Sequence, residues 1–243
     1  MRPSLLVAAV LTLSSFSLHA TTLYSTGFES PTFTPGALAG QGGFFNASGN
    51  SGSVESGVAR SGTQGVVFDS STDTSTASGA QSEIAVAITP FVASPSDETV
   101  DVQIAAQFSS SNNNTNYNIL ALFASNGFFT QVLYSNGQVT YGSGAVAVSA
   151  GAWNVYDLEL DYTTQMGTAF INGTAIGSET FAISAQDLSA ILFGINSVPT
   201  GDSAYFDDLS VTASAVPEPS SLALLGTGAL ALVGAARRRL SSR

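Results

Sequence analysis

The sequence predicts an all-β fold, an antiparallel β-sandwich, and three observations carry that prediction. The first is alternation with a period of two. Glu98–Phe108 sets Val100, Val102, Ile104, Ala106 and Phe108 on one side and Thr99, Asp101, Gln103 and Gln107 on the other. Residues 153–162 place Tyr156, Leu158, Leu160 and Tyr162 inward against Asp157, Glu159 and Asp161, and Ile84, Val86 and Ile88 oppose Glu83, Ala85 and Ala87. Such alternation marks strands with one face buried and one solvated, the habit of antiparallel sheets. The second observation is a pair of Asn-Gly dipeptides between apolar runs, Asn136-Gly137 and Asn172-Gly173. Both residues of a type I′ hairpin need positive φ, which Asn and Gly tolerate best. The third is the lack of any sustained helical period between residues 21 and 215. About a dozen short strands are expected at sandwich-like spacing. A short turn of helix is expected over residues 184–190, and residues 109–118, rich in Asn and Ser, read as a loop.

The two ends have a different character. Arg2 precedes an apolar run between Leu5 and Leu18, and Ser17-Leu18-His19-Ala20 offers a small residue before the polar Thr21-Thr22. A charged start, a short apolar stretch and a small-residue cut site make a secretory signal, so residues 1–20 are expected to be removed. At the other end, Val216-Pro217-Glu218-Pro219 leads into an apolar stretch at residues 222–236 and then Arg237-Arg238-Arg239. As a helix those residues would reach only ~22 Å, against a bilayer core of ~30 Å, so the arginines must snorkel for it to span. Pro217 and Pro219 hold their surroundings extended, an accessible form for a processing enzyme.

This tail resembles the PEP-CTERM sorting signal, having the Pro-Glu-Pro, the short hydrophobic helix and the terminal arginine cluster in that order. The resemblance implies processing by an exosortase, transient anchoring in the inner membrane, and a Gram-negative, exopolysaccharide-producing host. The organisation expected is therefore signal 1–20, β-sandwich 21–215 and sorting tail 216–243.

Composition narrows the function of residues 21–215. Arg60 is their only Lys or Arg, set against sixteen acids, a net charge of −15. Nothing there can displace counterions from phosphate, so nucleic acid is excluded as a partner. The one histidine, His19, leaves with the signal, and cysteine is absent. Neither a Ser-His-Asp nor a Cys-His nucleophile can be built, nor a zinc site of histidine and thiolate. A non-enzymatic protein is expected, held together without disulfides.

Several segments together resemble the concanavalin A-like jelly roll in its laminin-G-like form. They are Gly27-Phe28-Glu29, the turn Ala59-Arg60-Ser61-Gly62-Thr63-Gln64, Trp153 before an alternating strand, Ile171-Asn172-Gly173-Thr174, and Phe206-Asp207-Asp208-Leu209-Ser210-Val211. Near Gly40-Gln41-Gly42-Gly43, where relatives place a tryptophan, this chain has Phe44-Phe45. The resemblance implies that the first and last strands lie side by side, bringing Glu29 near Asp207 and Asp208. Hard oxygen ligands so placed would suit calcium. Strand parity puts Asp207 on the face of Leu209 and Val211, where burial would penalise its charge.

Two further sets of residues are candidates. Asp157, Glu159 and Asp161 project from one strand, in a pattern similar to the Glu-x-Asp-x-Glu of laminarinase-type glycosidases with each identity swapped. Trp153, Tyr24, Tyr117, Tyr134, Tyr141 and Tyr205 could stack on sugar, although core packing or cross-strand pairing accounts better for most of them. Phe123, Phe128 and Phe129 read as core and loop-cover residues. The function expected is a cell-surface or matrix protein associated with exopolysaccharide or biofilm. The alternatives are a calcium-supported carbohydrate-binding module and, last, a carboxylate-dependent glycoside hydrolase.

Overall fold

The computed structural model describes residues 20–48, 52–69, 81–92, 98–109, 115–197 and 202–215. The expected signal at 1–20, apart from Ala20, and the tail at 216–243 lie outside these residues. Sixteen strands form among the described residues, and every pairing is antiparallel. In chain order they are β1 (Thr21–Thr26), β2 (Gly36–Ala37), β3 (Phe44–Ser48), β4 (Ser53–Ser56), β5 (Gln64–Asp69), β6 (Gln81–Val92), β7 (Glu98–Phe108) and β8 (Thr115–Ala124). The second half comprises β9 (Gly127–Ser135), β10 (Gln138–Tyr141), β11 (Gly144–Ala147), β12 (Asn154–Asp161), β13 (Met166–Ile171), β14 (Thr174–Thr180), β15 (Asp187–Ser197) and β16 (Ser203–Ala215).

Two sheets result. One runs β14-β13-β12-β7-β16-β5-β4-β2, with β1 also on β16, and the other runs β11-β10-β9-β8-β15-β6-β3. Their inner faces meet in one core, as the alternation requires. Val100, Val102, Ile104, Ala106 and Phe108 of β7 and Tyr156, Leu158 and Leu160 of β12 are all buried. Both Asn-Gly pairs make the expected hairpins, with φ of 54° and 74° at Asn136-Gly137 and 48° and 78° at Asn172-Gly173.

An aromatic seam joins the layers. The Phe193 ring lies 6.4 Å from Phe28, 6.0 Å from Phe44, 6.0 Å from Phe68 and 4.9 Å from Phe206. Phe206 continues to Phe108, which stacks on Tyr134 at 4.1 Å. Edge-to-face and offset contacts of this kind add to what burial alone contributes.

Three local expectations are corrected. Residues 184–190 form no helical turn: the segment is irregular up to Asp187, where β15 begins. There the Asp187 carboxylate accepts bonds from the Ser125 amide and hydroxyl at 3.1 Å, and β15 pairs with β6 and β8 on either side. Strand pairing overrides the local preference. The Asn- and Ser-rich segment ends earlier than expected, because β8 starts at Thr115 and buries Tyr117. Phe128 lies edge-to-face on Phe123 at 5.7 Å but is 36% exposed, whereas Phe129 is buried.

Replacing Phe193 by alanine removes the hub of the seam. Chemical denaturation should show a loss of about 3–5 kcal/mol, the cost of a large cavity in a packed core.

Candidate functional site

The last strand organises the acidic residues. Strand β16 pairs with β7 along its length, but its other edge is shared. Residues 203–206 pair with β5, and residues 209–213 pair with β1. At the changeover β16 bulges, its register shifting between Asp207 and Ser210, with Asp208 at φ 52°. The bulge puts Phe206, not Asp207, on the core face with Leu209 and Val211. Asp207 is fully buried, as parity suggested, but for this different reason.

Two strands abutting on one neighbour leave a junction whose amides lack ladder partners, and carboxylates fill it. Asp207 Oδ2 accepts from the Arg60 and Ser61 amides at 2.9 and 3.0 Å, and its Oδ1 accepts from the Asp208 amide at 2.8 Å. Asp208 takes the Ser61 hydroxyl at 2.6 Å on Oδ1 and Arg60 Nη1 at 2.8 Å on Oδ2. Glu29 Oε1 accepts from the Thr63 and Gln64 amides at 2.7 and 2.9 Å, and Oε2 accepts from the Thr63 hydroxyl at 2.7 Å. Phe28, in the left-handed region at φ 57°, turns its ring into the core just before Glu29 reaches the 60–64 turn. Gly62, at φ 70°, has no room for a Cβ because the Glu29 carboxylate occupies that space.

The electrostatics follow from these contacts. The Gln64 amide, and then the Thr63 hydroxyl and amide, hold Glu29 below the ordinary carboxylate range. Burial pushes Asp207 up, and the loop amides oppose that push.

Glu29, Asp207 and Asp208 are therefore brought together as the resemblance implied, but as a clamp on the turn. All six of their oxygens already accept a donor. Calcium needs several oxygens of one site turned toward it. Among the described residues no group of three or more acids is arranged to hold a metal ion. Hydrogen bonding to the turn accounts for the placement of these oxygens without a cation. Replacing Asp207 by alanine would strand the Arg60 and Ser61 amides and should cost about 3 kcal/mol. The same reading expects one melting temperature in calcium and in chelator, and a rise of several degrees with calcium would restore the metal site.

The acidic strand divides into three separate roles. Asp161 Oδ1 caps the β12–β13 turn, accepting from the Thr163 and Thr164 amides at 2.8 and 2.9 Å. Glu159 is exposed and lies opposite Asp101 of β7. Asp157 is half-buried between Gln103 of β7 and Phe170 of β13, and its Oδ1 is buried without a hydrogen-bond partner. Burial first, then the charges of Asp101 and Glu159, raise it to about 6. Burial and Glu159 also raise Asp101. Between the unfolded value near ~4 and the folded value, the native state holds a proton that the unfolded chain has lost. Stability should therefore rise as pH falls through 6. Asp157→Asn should raise the melting temperature at pH 8 and flatten that segment of the profile.

The aromatic candidates do not assemble. Tyr117, Tyr134 and Tyr141 are core residues, while Trp153, Tyr24 and Tyr205 are half-buried. A depression of about 400 Å³ beside Tyr24 is lined by Ser25, Thr26, Glu29, Ser30 and Thr32 among others. A second cleft, of about 320 Å³, opens between β9, β10 and β14, around Phe128, Gln131, Thr140 and Glu179. The alternation missed this second cleft, because it joins residues from both sheets across a gap in sequence.

Residues 215–239 match the PEP-CTERM protein-sorting motif. The tail is a PEP-CTERM sorting motif. A PEP-CTERM tail marks the protein for export and association with the cell envelope. No curated protein sequence matches the chain. The sandwich is similar to Cellulose induced protein, Cip1, at 13% identity and TM-score 0.50, over 77% of this chain and 96% of that one. It is also similar to the botulinum neurotoxin serotype D ligand binding domain in complex with N-acetylneuraminic acid, at 15% identity and TM-score 0.51, over 80% and 48% of the two chains. A sialidase matches at 9% identity and TM-score 0.51, over 73% of this chain and 18% of that one. The chain thus spans under a fifth of the sialidase and about half of the neurotoxin domain. At these identities the likeness is one of fold: an antiparallel two-sheet sandwich of the jelly-roll kind.

Proposed function

We propose that this is an exported cell-surface protein whose sandwich binds carbohydrate without cleaving it, and that it associates with the exopolysaccharide of the cell that makes it. The observation that carries the reading is the joining of the two parts. A PEP-CTERM motif begins where β16 ends, and β16 is a central strand of a jelly-roll sandwich. Processing by an exosortase, transient inner-membrane anchoring and a place in the extracellular matrix or biofilm belong to the same proposal, and the sorting motif supports them.

The chemistry of the domain supports a binding role. Residues 21–215 contain no histidine, cysteine or lysine, so imidazole-base, thiolate and Schiff-base routes are closed and only carboxylates and tyrosines are left for acid–base work. The strand that resembled a glycosidase centre spends Asp161 on a turn, and Glu159 stands in solvent. Thr21 pairs with Ala213, so the start of the sandwich and the base of the sorting tail lie together at one end. The far end, where Asp69 and Ser203 pair, is directed away from the point of attachment.

Co-sedimentation of the full chain, purified in mild detergent, with the producing organism's own exopolysaccharide tests this reading. Saturable pelleting with the polysaccharide, in calcium and in chelator alike, is the expected result. No pelleting in either condition would remove the exopolysaccharide association. Pelleting that collapses on chelation would instead favour the calcium-supported module.

A further inference from the structure

The cleft between β9, β10 and β14 has features of a built site. Its floor is a buried polar relay, in which Thr130 Oγ1 lies 2.9 Å from the Tyr141 hydroxyl and donates to Glu179 Oε1 at 3.0 Å. Thr130 and Tyr141 are each 1% exposed, so the relay is fixed by packing. The Tyr141 hydroxyl rests against Gly167, where a Cβ would overlap it, and burial pushes Tyr141 up to about 12, so it stays a neutral donor or acceptor. Close approach at Gly142, Gly144 and Gly177 lets β10 and β11 press against β14 and forms the cleft wall. The relay holds the half-buried Glu179 by its Oε1.

The cleft around this carboxylate is also lined by Gln131, Thr140, Thr180 and the exposed Phe128. A planar carboxylate and an amide can each take a pair of hydroxyls, and an aromatic ring accepts an apolar C–H face. That is the donor and acceptor set of a sugar ring. No cation lines the cleft. The domain's one arginine, Arg60, is paired with Asp208 at the clamp. An anionic sugar would meet Glu179 and a field of −15 with nothing to neutralise it.

We propose that the cleft between β9, β10 and β14 is a binding site for a neutral glycan. Gln131 and Glu179 hold ring hydroxyls, Phe128 packs on a sugar face, and anionic sugars are excluded. This deepens the carbohydrate-binding reading above and rests on it. It also sets the chain apart from the neurotoxin domain of the same fold whose structure holds N-acetylneuraminic acid.

The test is an array of immobilised oligosaccharides in three sets, neutral, sialylated or uronic, and glucosamine-containing, probed with the full chain in mild detergent. Affinity for the strongest neutral ligand is then measured for wild type, Phe128→Ala, Gln131→Ala and Glu179→Gln, with melting temperatures alongside. The expected result is binding confined to neutral glycans. Phe128→Ala and Gln131→Ala should each weaken it about tenfold, as the loss of a sugar-face contact or a bidentate amide would, at unchanged melting temperature. Glu179→Gln keeps an acceptor for Thr130 and should fold normally while weakening binding. Preferred binding of sialylated or uronic glycans would overturn the proposal and leave the carbohydrate-binding reading standing. So would binding confined to glucosamine oligomers and abolished by salt. Neutral-glycan binding that ignores all three substitutions would place the site elsewhere. Binding to no glycan would overturn both.

Discussion

With no cysteine in the chain and Arg60 alone among Lys and Arg in residues 21–215, cohesion between the two sheets comes from apolar burial, concentrated in the aromatic seam around Phe193. Acidic repulsion works against compaction everywhere on the surface. The seam offsets it by meeting rings from β3, β5, β15 and β16 and from the turn after β1. Because those rings must face inward together, they fix the register of the strands that carry them. The outer faces can then diverge in composition without loss of fold.

The clamp at Asp207 is a consequence of that inward demand. Phe206, Leu209 and Val211 all belong to the core, but simple alternation cannot place residues 206 and 209 on one face. One extra residue must bulge, which exposes backbone polar groups at the point where β5 gives way to β1. Asp207 takes up the Asp208 amide there, and the three carboxylates together bind the 60–64 turn across the gap. The acids that looked most like metal ligands are thus explained by a packing requirement a few residues away.

This also shows what could be read from the sequence. The strands β7 and β12 and both Asn-Gly hairpins were legible because their signals are local: period two, and a dipeptide suited to positive φ. Proximity of Glu29 to Asp207 and Asp208 was legible through resemblance, but their role was not. The bulge is set by tertiary packing, and the donors come from a turn 147 residues from Asp207 and 34 from Glu29 in sequence. Residues 184–190 misled for a similar reason, since from Asp187 onward pairing with β6, joined by β8 at Ala190, decides the conformation. Phe128 was misplaced because β8 and β9 shift register beside it, between Leu122 and Phe123. The sorting tail was fully legible, being a linear address that needs no fold to be read.

The position of β16 has a mechanical consequence. The strand that continues into the tail lies inside its sheet, with ten registered partners on β7 from Ala204 to Ala215. If the tail is held and the far end of the sandwich is pulled, tension runs along this strand, across hydrogen bonds that lie perpendicular to it. Those bonds are then loaded side by side in shear, and many must fail at once. An edge strand in the same role would unzip one bond at a time. A domain attached through its innermost strand is suited to staying folded under drag.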